Sequence, residues 1–212
     1  MLGLLYKDFF TAKKELLLTF VMLALFVGYN AIIGQKEMLG PTLGIMVSLG
    51  TMTPTYSLHY DKTCGWNKFV CASPISRTKV ILAKYFAGIL SASAFGLVII
   101  VSNLTAGSPM PSWAYPLLFC IILFAQAIVM PVSLRLGQNM VVVVFLLMVF
   151  VPTGLLFGLN KAGIWSDEAI SSAFDLVQNN IASLIPVLIL VVLALYVLSF
   201  LVTKRIYQRM EF

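Results

Sequence analysis

The chain has 212 residues, of which 60% are hydrophobic and only 10% charged, whereas a water-soluble surface carries about a quarter charged residues. A soluble protein is excluded, and an all-α integral membrane protein is predicted, built as a single transmembrane domain over residues 1–212. The net charge of +6 fits anionic lipid headgroups as a partner and not nucleic acid, which needs a solvated basic domain that this chain lacks.

Residues 2–14 read as an amphipathic helix. Leu2, Leu5, Tyr6 and Phe9 recur at helical spacing, while Lys7, Asp8, Thr11, Lys14 and Glu15 fill the other face. Too short and too charged to cross, this segment is expected to lie in the cytoplasmic interface as an elbow before the first span. The alternative is a plain extension of that span. No secretory cleavage signal is expected, since cations mix with Asp8 and Glu15 and no small-residue cleavage site follows the apolar stretch.

The uncharged gaps between charges measure the crossings. Glu15 to Lys36 encloses 20 residues and Glu37 to Asp61 encloses 23, each close to the roughly 20 that span ~30 Å of hydrocarbon as a helix. Spans are predicted at about 16–35 and 39–60. In the second, Gly40, Gly44 and Ser48 repeat every four residues and offer a flat packing face. It then turns polar through Thr51, Thr53, Thr55, Tyr56, Ser57, His59 and Tyr60, side chains that face protein or water more often than lipid. They serve as interhelical glue or as the lining of a path. Pro54 is expected to kink the helix.

Five cations and the single acid Asp61 surround Trp66 and Phe69 in the loop that follows, 61–79, and the start of the next span. One short helix should end near Ala72, because Pro74 biases Ser73 away from helix. Ser76 then caps the next helix, with Ile75 and Val80 placed as a staple. A short helix standing off two rigid spans suits a cytoplasmic partner; the alternative is a lipid-touching loop with Trp66 anchored at the headgroups.

Lys84 to Arg135 encloses 50 uncharged residues, broken by a turn over 107–116 that holds three prolines. It therefore holds two spans, about 82–105 and 114–133; the first carries Gly88, Ala92 and Gly96 as a second small-residue face. Gaps of 25 and 28 residues place the last spans at about 140–159, with Pro152, Gly154 and Gly158, and 181–203. Between them, Ile170, Ala173, Phe174, Val177 and Ile181 form one face and Glu168, Ser171, Ser172, Asp175 and Asn179 the other. Ser166 as N-cap and Trp165 as staple start a separate external amphipathic helix, which either leads the chain back into the last span or covers an exit.

Six spans put twelve of the 14 cations on the side of both termini, against Lys36 and Lys161 opposite. Both ends are therefore expected in the cytoplasm. All 22 charges fall at span edges, so no buried charge is expected within a span, which argues against a proton- or sodium-coupled carrier. No G-x-x-x-x-G-K-[ST] loop occurs, so ATP hydrolysis by this chain is not expected. Cys64, Cys71 and Cys120 are an odd set with His59 as the only histidine, and neither a disulfide framework nor a metal site is expected.

The run Asp61-x4-Trp66-x-Lys68-Phe69-x4-Pro74-Ile75-Ser76-Arg77-x6-Lys84-Tyr85 resembles the cytoplasmic loop of type-2 ABC exporter permeases, in particular the small bacterial group that includes the phenol-soluble modulin exporters. The opening Leu4-Leu5-Tyr6-Lys7-Asp8-Phe9 is similar to how those chains begin, and Ala72-Ser73 replaces the larger aliphatic residue common before the proline. The resemblance implies a permease of the bacterial cell membrane that dimerises with a like or paralogous permease and exports amphipathic peptides or similar amphiphiles. It binds no cofactor itself; ATP and Mg2+ belong to a separately encoded ATP-binding subunit. Asp61, Trp66, Lys68, Phe69, Pro74, Ile75, Ser76 and Arg77 would form the coupling site, with docking by Trp66, Lys68, Phe69 and Arg77. Gly44, Ser48, Thr51, Thr55, Tyr56, Pro152 and Gly154, in spans 2 and 5, would line the dimer seam or path. The alternatives are a non-transporting membrane scaffold or sensor and an ion-coupled secondary carrier.

Overall fold

The computed structural model describes residues 2–11, 39–72, 76–105, 112–161 and 167–210, together with positions 13, 17, 21, 24, 25 and 28. Among these no strand occurs. The helices are α1 Leu2–Thr11, α2 Leu39–Thr63, α3 Trp66–Ala72, α4 Arg77–Thr105, α5 Ala114–Leu136, α6 Gln138–Lys161 and α7 Asp167–Arg209. Among the described residues, three segments are long and apolar enough to cross a membrane, Arg77–Val101, Ala114–Leu136 and Ser183–Arg209, and Asn139–Met148 is a shorter apolar helix. The protein is a membrane protein. Most of the predicted first span, Ser166 and Trp165 lie outside the described residues.

One expectation is corrected here. The external amphipathic helix and the last span are not separate; α7 runs unbroken for 43 residues with Pro186 inside it. The pattern break near residue 180 marks a change from amphipathic to uniformly apolar sequence, which alters what the helix faces without interrupting its backbone.

Two glycines make the tight corners at one end of the bundle. Gly65, at φ 67°, takes the left-handed conformation between α2 and α3, and its carbonyl accepts from the backbone N–H of Lys68 at 3.0 Å. Gly137, at φ 89°, donates its N–H to the Ser133 carbonyl at 3.1 Å, and α6 begins at the next residue. A side chain at either position would meet the steric penalty of positive φ. Two cations close the helix ends beside them. Lys62 Nζ donates to the carbonyls of Leu134 at 2.7 Å and Ser133 at 3.3 Å, and Arg77 Nη1 donates to those of Gln208 at 3.1 Å and Met210 at 3.2 Å. Orphan C-terminal carbonyls and the negative end of the helix dipole favour such cations.

α5 is the central helix, packed on α7, α2, α4 and α6. Ile122, Leu123, Val129, Met130 and Leu134 of α5 are buried with Ala92, Phe95 and Ile99 of α4 and Val192, Tyr196 and Tyr207 of α7. Small residues let the backbones approach: a Cβ on Gly50 would lie 3.3 Å from the Phe95 ring and 3.4 Å from Ile122. By contrast, Leu146, Leu147 and Phe150 of α6 and Val187, Leu190 and Leu198 of α7 are exposed, as expected where lipid or another chain is the neighbour.

Candidate functional site

The corner after α2 is held by a ring of four charges from three helices. Lys84 Nζ, on α4, lies 3.0 Å from Asp8 Oδ1 of α1 and 2.6 Å from Asp61 Oδ2 of α2. It also donates to Ser57 Oγ at 2.6 Å. Lys7 Nζ, on α1, lies 3.1 Å from Asp8 Oδ1 and closes the ring by donating to Asp61 Oδ1. Each carboxylate thus has two ammonium partners, and the ring is electroneutral. Lys84 is 2% exposed, Asp61 3% and Asp8 5%.

Burial alone would push the Asp8 carboxyl upward. The Lys84 and Lys7 ammoniums, with hydrogen bonds from Lys84 and Ser57, outweigh it and hold Asp8 below the usual carboxylate range. Breaking a buried pair from one side leaves an uncompensated charge, at a cost of roughly 3–5 kcal/mol.

The ring corrects one expectation. Charge is buried inside a predicted span, since Lys84 falls within 82–105 and is enclosed. Counting gaps treats each charge as a solvated boundary, but charges of opposite sign from three segments neutralise one another and can be enclosed together. On α1, Lys7 and Asp8 face protein, while Tyr6, Phe9 and Phe10 are 71%, 66% and 61% exposed.

The loop builds outward from the ring. Lys7 Nζ sits 4.3 Å above the Trp66 ring centroid, a cation–π contact, and Trp66 packs on Phe69 with centroids 5.1 Å apart. Trp66 Nε1 is buried without a hydrogen-bond partner. Val70 is 1% exposed while Phe69 is 58% exposed and Lys68 is also exposed, so α3 presents one face inward and an aromatic–cation pair outward. Ser76 is exposed ahead of α4, with its carbonyl accepting from the Lys79 N–H. The structure therefore gathers Asp61, Trp66, Lys68, Phe69, Ser76 and Arg77 at one end of the bundle. Asp61 and Trp66 are directed inward, and Arg77 caps α7; Pro74 and Ile75 lie outside the described residues.

The residues expected to line a seam or path are less concentrated. Thr51 and Thr55 are fully buried, and Thr55 Oγ1 donates to the Met52 carbonyl of its own helix at 2.6 Å. Ser48 and Tyr56 are partly buried; Gly44, Pro152 and Gly154 lie in helical backbone, and their side-chain surroundings are outside the described residues. A second polar centre was missed from the sequence. Gln126, fully buried in α5, donates through Nε2 to the carbonyls of Gly50 at 2.9 Å and Gly88 at 3.2 Å. Tyr196 OH of α7 donates to the Tyr85 carbonyl at 2.9 Å and approaches Gln126 Oε1 at 3.5 Å, joining α2, α4, α5 and α7. An amide in the middle of an apolar predicted span was the available signal.

Among the described residues no cluster of His, Cys, Asp and Glu is suited to hold a metal ion. A family model described as ABC-2 family transporter protein matches residues 3–208. No significant match is found among curated proteins or among solved structures.

Proposed function

This chain belongs to the ABC-2 transporter family, and on that premise we propose that it is the permease subunit of an ATP-driven exporter, working as a dimer with a separately encoded ATP-binding subunit. In this reading six helices cross the bacterial cell membrane with both termini in the cytoplasm. α1 is the elbow, α3 is the coupling helix, and the second protomer meets the chain along α2 and α6. The cargo is an amphipathic peptide or a similar amphiphile, carried through a mostly apolar cavity.

The observation that carries the docking assignment is the two-faced α3. Val70 is buried and Trp66 is clamped beneath Lys7, while Phe69 and Lys68 stand outside. A half-exposed aromatic beside a cation, on a helix held rigidly by its other face, is the arrangement expected of an anchor entering a groove on a partner. Docking therefore falls to Phe69 and Lys68, whereas Asp61, Trp66 and Arg77 hold the loop's shape. The buried ring does not favour an ion-coupled carrier, because its carboxylates are matched by ammoniums and sit near helix ends rather than at mid-span.

The test is affinity purification of the tagged chain. A subunit carrying a phosphate-binding loop should co-purify in detergent, be lost with Phe69→Glu plus Lys68→Glu, and be retained with Lys79→Ala. Equal recovery with the Phe69/Lys68 variant would remove the docking assignment, and no such subunit under any condition would remove the ATP-driven reading.

A further inference from the structure

The four-charge ring does more than stabilise a corner, because of which segments it joins. Asp61 is two residues before the end of α2, and only the Cys64–Gly65 turn separates α2 from α3. Lys7 reaches both ends of that turn: it pairs with Asp61 before it and covers Trp66 after it. α1 contacts the described bundle through α2 and α4, and its aromatics Tyr6, Phe9 and Phe10 face away. The inward face of α1 is thus tied by charge to the foot of α3, while its outward face has the character of a segment seated in the bilayer interface.

We propose that the Lys7–Asp8–Asp61–Lys84 ring is a rigid joint that makes α1 and α3 move as one body, so that displacement of α3 by the ATP-binding subunit shifts the interfacial helix and α4 together. The proposal rests on the permease reading for its cause of motion, but the joint itself is a property of this chain. These are positioning residues: none is placed against the partner or the cargo. Two features fit a joint better than ordinary packing. Lys84 hydrogen-bonds to a carboxylate of α1 and to Ser57 of α2 and pairs by charge with a carboxylate of α2, which ties three helices together at one buried point. Electroneutrality also makes the ring intolerant of losing one member but more tolerant of losing an opposite pair.

The experiment places spin labels at Phe10 and at Cys64, at the foot of α3, both exposed, after replacing Cys71 and Cys120 by alanine, and measures the label-to-label distance in lipid nanodiscs. In the permease alone, a single narrow distance is expected. It should be lost with Asp61→Asn and with Lys84→Met, and largely restored in the electroneutral double variant Asp61→Asn/Lys84→Met, which also shows that the chain still folds. In the complex, trapping with ATP and vanadate should leave the distance unchanged while a Cys64–Phe150 pair shifts. A narrow distance retained in both single variants would overturn the joint, as would a Phe10–Cys64 distance that shifts on trapping as much as the Cys64–Phe150 pair. Failure to recover any ATP-binding subunit would instead count against the permease reading and leave the first set of measurements to decide the joint.

Discussion

Single side chains in this protein are held by partners far away in sequence. Gln126 offers the clearest stability prediction. Gln126→Leu removes the amide donor from the Gly50 and Gly88 carbonyls; Gly88 keeps Ser91 Oγ at 2.8 Å, whereas Gly50 has Pro54, without an N–H, four residues on, and leaving that buried carbonyl unsatisfied costs about 1–3 kcal/mol. The melting temperature in detergent should fall, and should fall again in Gly88→Ala, whose new Cβ would lie 2.8 Å from Tyr196 Oη and 2.9 Å from Gln126 Oε1. Asp8 sets a pH dependence. Its carboxyl is held below the ordinary value of 3.8 by Lys84 and Lys7 against its own burial, and Asp61 and Ser57 complete its surroundings. A depressed carboxylate stabilises the folded state above its ordinary pKa, and that contribution is lost as pH falls through the folded value. Trp66 fluorescence, read with Trp113 and Trp165 replaced by phenylalanine, should hold steady from neutral pH down to about pH 4 and change only below it; a change centred near neutrality would refute the assignment.

The helices themselves were largely legible in the sequence, whereas their long-range attachments were not. Alternation of charge with uncharged runs of helix length located α2, α4, α5 and α6, and the apolar–polar pattern of residues 2–14 located α1. What Lys7 and Asp8 contact was not legible, because their partners Asp61 and Lys84 lie 54 and 76 residues away. The fusion of two expected helices into α7 shows the other limit: a change of environment along a helix resembles a boundary. At the corners the prediction is local. Gly65→Ala places a side chain at φ 67°, costing roughly 1–2 kcal/mol, and by reorienting α3 it should lower recovery of the ATP-binding subunit more than it lowers the melting temperature. Lys62→Met removes the cap on the α5 carbonyls and should do the reverse.

At the scale of the whole molecule, three features combine: a packed group of α2, α4, α5 and α7 crossed by buried hydrogen bonds, an exposed apolar surface on α6 and α7, and one end at which a two-faced short helix is fixed to a neutral ring of charges. The first is suited to moving as a unit, the second to lipid or a second protomer, and the third to receiving force from outside the membrane. The most direct test of the account is uptake of a fluorescent amphipathic peptide into inside-out vesicles containing the chain and its co-purified ATP-binding subunit. Accumulation should require ATP hydrolysis, stop with vanadate and be lost with Phe69→Glu plus Lys68→Glu. Accumulation at the same rate without ATP, driven by an imposed proton gradient and unaffected by that substitution, would contradict it.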